Sequence, residues 1–278
     1  MYKLPIYIYI LTFFLLPDIV ITQPVDGNTL VKVEIFSDFS EVEAGKDFNL
    51  FIKLIPDKDW HTYWINPGDV GLPTVIDFDS VKGVKTYEPI FETPEKIPFS
   101  GMANFGYESE NTIMIPIKIS PDFNKDELEI KANIRWLVCK EECIPGSKKI
   151  NFKIKVNGKS IPNSAYLSQI IKIKENQPLI NQNIDCKASK KENNVTLEIP
   201  KDKLSKDIKE LQFFPYDSGF YNYGADQILS EKDGKFYLSI TLDNFRTEDP
   251  KKISGILVAD KCILKDSPNK SFEINFEF

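Results

Sequence analysis

From Thr29 onward, apolar and polar residues alternate along the chain. Leu30-Val31-Lys32-Val33-Glu34-Ile35-Phe36 does so, as do residues 48–54, 112–119 and 128–136. A period of two places successive side chains on opposite faces of a strand, so each run predicts a strand with one face against a core. Turn-forming clusters separate the runs: Glu43-Ala44-Gly45-Lys46, Asn66-Pro67-Gly68-Asp69 and Ser120-Pro121-Asp122. Short strands with regular turns and no helical crossovers predict an antiparallel β-sandwich.

The pattern changes between Asn157 and Asn183. Pro162-Asn163-Ser164 can cap a short helix with Tyr166, Leu167, Ile170, Ile171 and the stem of Lys174 on one face, and Pro178 ends it. Strand patterns resume at 195–199, 211–215, 235–242, 253–259 and 272–278. The expected class is therefore all-β. One antiparallel sandwich spans 23–157, a short helical linker spans 158–182, and a second, smaller sandwich spans 183–278. The aromatic run from Phe213-Phe214 to Tyr221 and Tyr223 is expected to fill the seam between the two or the sandwich core.

Residues 1–22 follow another rule. Met1-Tyr2-Lys3 is followed by an almost wholly apolar run to Leu16, short for the roughly 20 residues of a membrane span. It reads as a signal peptide or an uncleaved N-terminal anchor, which places the rest in an exported, oxidising compartment. The net charge of −6, with both signs interspersed, excludes nucleic acid as a partner, because that needs a concentrated basic face.

Chemistry concentrates in Trp136-Leu137-Val138-Cys139-Lys140-Glu141-Glu142-Cys143-Ile144-Pro145-Gly146, which holds two of four cysteines. Residues four apart in an extended strand lie about 13 Å apart, beyond the reach of a disulfide, so a bond between Cys139 and Cys143 requires a turn at 140–142. The strand patterns on both sides make that a hairpin. So small a loop removes little chain entropy and is a weak staple, which favours redox use over a structural role or a metal clip. Lys140 favours a thiolate and Glu141 and Glu142 oppose one, so the attacking sulfur stays undecided. With one histidine, His61, a closed zinc site is not expected, although two thiolates can hold Cu(I). Cys186 and Cys262 are left as a structural disulfide candidate, worth roughly 3–5 kcal/mol by loop entropy, or as two buried thiols. His61, between aromatics, reads as a core or edge residue. Trp60 and Tyr63 beside it can pack beneath the cysteine hairpin.

Trp60-His61-Thr62-Tyr63-Trp64-Ile65-Asn66-Pro67-Gly68-Asp69-Val70-Gly71-Leu72-Pro73-Thr74, taken with the cysteine segment, resembles the N-terminal periplasmic domain of DsbD-type thiol:disulfide interchange proteins, in particular the ScsB-like branch. The resemblance covers the first sandwich and extends weakly to Leu211-Gln212-Phe213-Phe214-Pro215. It implies an immunoglobulin-like sandwich, with Cys139 and Cys143 as a catalytic pair that needs no cofactor or metal. It further implies electrons drawn from a membrane-embedded thiol reductase and passed to periplasmic thioredoxin-like or disulfide-bonded proteins. The family caps its pair with an aromatic loop; Asn104-Phe105-Gly106-Tyr107 matches best, with Phe105 as the cap and Tyr107 supporting. This chain carries neither the multi-span domain nor the Cys-x-x-Cys domain of the longest members, so the reductase is expected to be a separate protein. Two other classes remain open: a copper-handling module using the same thiolates, and a non-catalytic β-sandwich interaction module.

Overall fold

The computed structural model describes residues 26–99 and 101–278; the segment 1–22 expected as signal or anchor lies outside them. The chain is mostly β, with 54% strand and 7% helix, in several antiparallel sheets. Its strands fall into two groups. In the first, a four-stranded sheet runs in the order Val31–Ser37, Asp47–Pro56, Asn111–Ile119, Val84–Thr86. An eight-stranded sheet runs Ile161–Pro162, Phe39–Glu43, Cys143–Asn157, Glu127–Cys139, His61–Gly68, Met102–Tyr107, Glu95–Phe99, with Val75–Phe78 also paired to Glu127–Cys139. Phe39–Glu43 runs parallel to Cys143–Asn157.

The Glu127–Cys139 strand shows how the alternating pattern becomes packing. Leu128, Ile130, Ala132, Ile134, Trp136 and Val138 are buried while Glu127, Lys131 and Arg135 face solvent. In Asp47–Pro56 the alternation gives way to consecutive buried residues, Leu50-Phe51-Ile52, because that strand is covered on both faces. The inner face joins the main core, while Phe51 and Phe36 on the outer face meet Ile170 and Ile173 of the Leu167–Asn176 helix. Tyr166 stacks on Phe36 with ring centroids 4.4 Å apart.

The helix thus clamps onto the first group instead of merely spanning a gap. Its buried stripe is Tyr166, Ile170 and Ile173, not the Tyr166, Leu167, Ile170, Ile171 face that spacing suggests. Leu167 and Ile171 are exposed, because a 3-10 turn at Ser164–Tyr166 sets the entry angle and the Phe36–Phe51 surface selects the neighbouring stripe. The helix ends at Asn176, just before Gln177-Pro178.

The second group forms a four-stranded sheet, Lys187–Lys191, Asn194–Pro200, Lys235–Thr241, Ile228–Lys232, and a three-stranded sheet, Leu211–Pro215, Lys252–Ala259, Ser271–Glu277. Among the described residues no strand ladder joins the two groups; one isolated parallel bridge, Leu179↔Phe272, precedes the second. Yet both share one continuous apolar core. Phe105 meets Phe214 and Tyr223 edge to face at 4.9 and 5.0 Å, and Trp64 meets Phe214 at 6.2 Å. Buried Asn66 donates through Nδ2 to Pro215 O at 2.8 Å and to the Tyr223 hydroxyl at 3.3 Å. The aromatic run that begins at Phe213 therefore lies at the seam.

Phe214 is 2% exposed and touches rings from both groups. Phe214→Ala is expected to destabilise the chain by about 3–5 kcal/mol in urea unfolding, the range for deleting a fully buried ring. A change below about 1 kcal/mol would show that the seam does not carry that burial.

Candidate functional site

The Glu127–Cys139 and Cys143–Asn157 strands pair without interruption from Glu127↔Lys155 to Cys139↔Cys143. At the tip, Lys140 N–H donates to Glu142 O at 3.1 Å and closes the turn. The Cys139 and Cys143 sulfurs are bonded, with Cα atoms 4.1 Å apart. Cys139 is 2% exposed, whereas Cys143 faces solvent. Three pairs back, the Trp136 indole lies over Gly146: a Cβ on that glycine would fall 2.4 Å from Nε1. Only a residue without a side chain lets the ring lie there.

On its other side Cys139 pairs with His61, so the start of the His61–Gly68 strand lies beside the disulfide. Period two puts His61 and Tyr63 on one face of that strand. The Tyr63 hydroxyl lies 3.8 Å from Cys143 Sγ and 3.2 Å from His61 Nε2. Burial pushes the Tyr63 hydroxyl up to about 12, so it keeps its proton at neutral pH. Burial also lowers His61, against the opposing pull of Glu108, which favours a neutral imidazole. Gly71, at φ +104°, lies flat on the Tyr63 ring; a Cβ there would stand 2.4 Å from Cζ. Loop 69–74 thus covers the tyrosine and leaves Leu72 63% exposed beside it. Lys140 Nζ reaches Asp59 Oδ2 at 3.2 Å, an exposed ion pair between the cysteine turn and the turn before His61.

This arrangement is an exposed cysteine bonded to a buried one, with a tyrosine hydroxyl 3.8 Å from the exposed sulfur. Residues 28–154 match the model of the family described as thiol:disulfide interchange protein DsbD, N-terminal. This stretch of the chain belongs to the DsbD N-terminal domain family. No curated protein sequence matches the chain. Among solved structures, the N-terminal periplasmic domain of ScsB from Proteus mirabilis matches with TM-score 0.62 at 16% identity, covering 92% of this chain and 96% of that one. That likeness of fold spans both strand groups. The N-terminal domain of DsbD from Neisseria meningitidis, in the reduced form, matches with TM-score 0.31 at 11% identity, over 46% of this chain and 92% of that one.

Within this DsbD N-terminal domain, Cys139, Cys143 and Tyr63 come together as the sequence suggests, and His61 joins them. Trp60 is half-buried and packs against the main core. Phe105 and Tyr107, expected at the cap, are elsewhere. Tyr63 pairs with Gly106, so Phe105 and Tyr107, one residue to either side, project from the opposite face. Phe105 is 1% exposed in the seam, and the Tyr107 hydroxyl donates to Glu92 O at 2.6 Å inside the core. Of the two readings open for Cys186 and Cys262, the disulfide is not formed, and only Cys186 is a buried thiol. Cys186 precedes the Lys187–Lys191 strand and is buried in the core, which pushes its thiol up to about 12. Cys262 follows the Lys252–Ala259 strand of the other sheet and faces solvent, its Sγ donating to Pro268 O at 3.3 Å. Among the described residues no group of three or more His, Cys, Asp or Glu could hold a metal ion, and no helix is long and apolar enough to cross a membrane.

Gly146→Ala is expected to force Trp136 aside, destabilising the chain by about 1–3 kcal/mol and altering its tryptophan fluorescence; an unchanged spectrum and stability would contradict the contact. Glu92, raised by burial to about 7 against Thr112 hydrogen bonds that lower it, holds a proton in the native state that the unfolded chain has already released. Stability therefore falls as pH rises from about 4.5 to about 7, by on the order of 3 kcal/mol, and Glu92→Gln is expected to flatten that slope in urea midpoints.

Proposed function

We propose that the chain is an exported, periplasmic thiol–disulfide exchange protein that relays reducing equivalents through Cys139 and Cys143. The observation that carries this reading is the unequal exposure of the two bonded cysteines at the hairpin tip, Cys139 buried and Cys143 exposed. A partner thiolate attacks the exposed Cys143 Sγ, forming a mixed disulfide while Cys139 leaves as a thiolate and takes a proton. The partner's second thiolate then attacks the partner's sulfur, releasing Cys143 and leaving the partner oxidised. Two electrons and two protons have moved from partner to chain. The dithiol reduces the next disulfide by the same steps in the other direction, Cys143 attacking and Cys139 resolving.

The family relationship supports a donor that is a membrane-embedded thiol reductase, and acceptors that are periplasmic thioredoxin-like or disulfide-bonded proteins. No organic cofactor is needed, because the electrons travel as sulfur–sulfur bonds. On this reading residues 23–157 form the redox sandwich, 158–182 the helical connection, and 183–278 a second sandwich that braces it. Both are of the immunoglobulin-like type.

The test is partner trapping in the native host. Cys139→Ser leaves Cys143 without its resolving sulfur and is expected to accumulate mixed disulfides on non-reducing gels; Cys143→Ser is expected to trap far fewer. If both variants fold and neither traps a partner, the exchange reading is wrong.

A further inference from the structure

The Tyr63 hydroxyl has one proton, with His61 Nε2 at 3.2 Å and Cys143 Sγ at 3.8 Å; in the tautomer that carries its proton on Nδ1, the imidazole competes with the sulfur for that one donor. It can donate to only one of them at a time. A disulfide sulfur is a weak acceptor, so in the oxidised chain the hydroxyl donates to the imidazole. A thiolate at Cys143 reverses that preference, since a hydrogen bond to an ionised acceptor is roughly twice as strong as a neutral one. The hydroxyl then turns to sulfur, and Nε2 has lost its donor. The imidazole regains a hydrogen bond by taking a proton on Nε2 and donating to the tyrosine oxygen.

We propose that Tyr63 and His61 form a redox-linked proton site, in which reduction turns the Tyr63 hydroxyl from His61 to Cys143 and places on His61 the proton that would otherwise sit on the Cys143 sulfur. The proposal rests on the exchange reading and deepens it. The proton count is unchanged: of the two protons that accompany two electrons, one goes to Cys139 and one to His61. The reduced form is thus a Cys143 thiolate and an imidazolium bridged by one hydroxyl. Its use is to keep the exposed sulfur nucleophilic, which a helix N-terminus or a directly paired cation does at other reactive cysteines. Tyr63 and His61 act here as positioning residues, because the sulfur performs the chemistry.

Burial lowers His61 in the oxidised chain and keeps its imidazole neutral there, while Glu108 pulls the other way and stands ready to support a charged ring. In the cysteine turn, exposed Glu141 and Glu142 oppose a thiolate. Lys140, which favours a thiolate, is paired to Asp59. The turn therefore supplies no free cation to Cys143, and the hydroxyl is the donor within reach of that sulfur. Gly71 against the Tyr63 ring fixes where the hydroxyl stands, so its rotation about the C–O bond suffices to switch partners.

His61 is the sole histidine, so its imidazole resonances need no assignment by mutation. The experiment follows them by NMR across pH in the full chain, oxidised and then reduced with excess dithiol. The expected result is that His61 titrates at higher pH in the reduced form. In Tyr63→Phe the rise is expected to shrink, and iodoacetamide alkylation of Cys143 at neutral pH to slow by about tenfold, the equivalent of one charged hydrogen bond. Identical His61 titrations in both redox states overturn the proposal without using any variant. So does wild-type alkylation in a folded Tyr63→Phe. If the dithiol reduces the disulfide and His61 does not respond, the exchange reading stands and this inference falls; a disulfide that resists the dithiol removes both.

Discussion

The site depends on the register of one hairpin. Glu127–Cys139 and Cys143–Asn157 are held opposite each other by a face of buried residues that runs from Leu128 to Val138. A slip of one residue would carry that whole face into solvent and take Cys139 off Cys143 together. The cysteines are therefore opposed by hydrophobic burial spread over the hairpin and not by their own bond, which closes too short a loop to contribute much chain entropy. Breaking the bond leaves the register in place. A dithiol formed there is already positioned to close again, which is what a carrier of electrons, as opposed to a staple, requires.

The same two-residue period sorts chemistry from packing on the neighbouring strand. Thr62 and Trp64 turn inward, where Thr62 Oγ1 accepts from Asn111 Nδ2 and Trp64 meets the aromatic seam. His61 and Tyr63 turn to the face that bears the sulfur. Tyr63 is buried nonetheless, because loop 69–74 folds over it with Gly71 against the ring. A hydroxyl can be kept dry there and still lie beside an exposed sulfur.

What the sequence made legible follows from how local each feature is. The strands, the hairpin and the cysteine turn are encoded by alternation and by turn residues within a few positions of one another, and they are where the pattern places them. Side-chain neighbours across a sheet depend instead on register between distant segments. His61–Gly68 and Met102–Tyr107 pair with an irregularity between Tyr63 and Gly68, which no local pattern announces. That is why the resemblance put Phe105 at a cap while the register puts it in the seam, and why His61, an edge residue with one hydrogen bond as expected, has as its partner the tyrosine that reaches Cys143. Cys186 and Cys262 misled for the opposite reason: each sits beside a strand as expected, but in different sheets, one facing the core and one facing water. The helix face failed by one stripe, since Leu167 and Ile171 match helical spacing as well as Ile173 does and only the Phe36–Phe51 surface decides.

The second strand group takes its meaning from the same strand. Within four residues, His61–Gly68 presents Tyr63 to Cys143, Trp64 to Phe214 and Tyr216, and Asn66 to Pro215 and Tyr223. Its first residues meet the sulfurs and the next are gripped by the seam. An isolated strand end would fray, and a hydroxyl on it would wander by more than the difference between 3.2 and 3.8 Å that separates its two acceptors. Anchoring Trp64 in a ring cluster and Asn66 on two buried oxygens holds Tyr63 still. The C-terminal strands thus serve the sulfur through packing, by fixing the one strand whose side chains reach it.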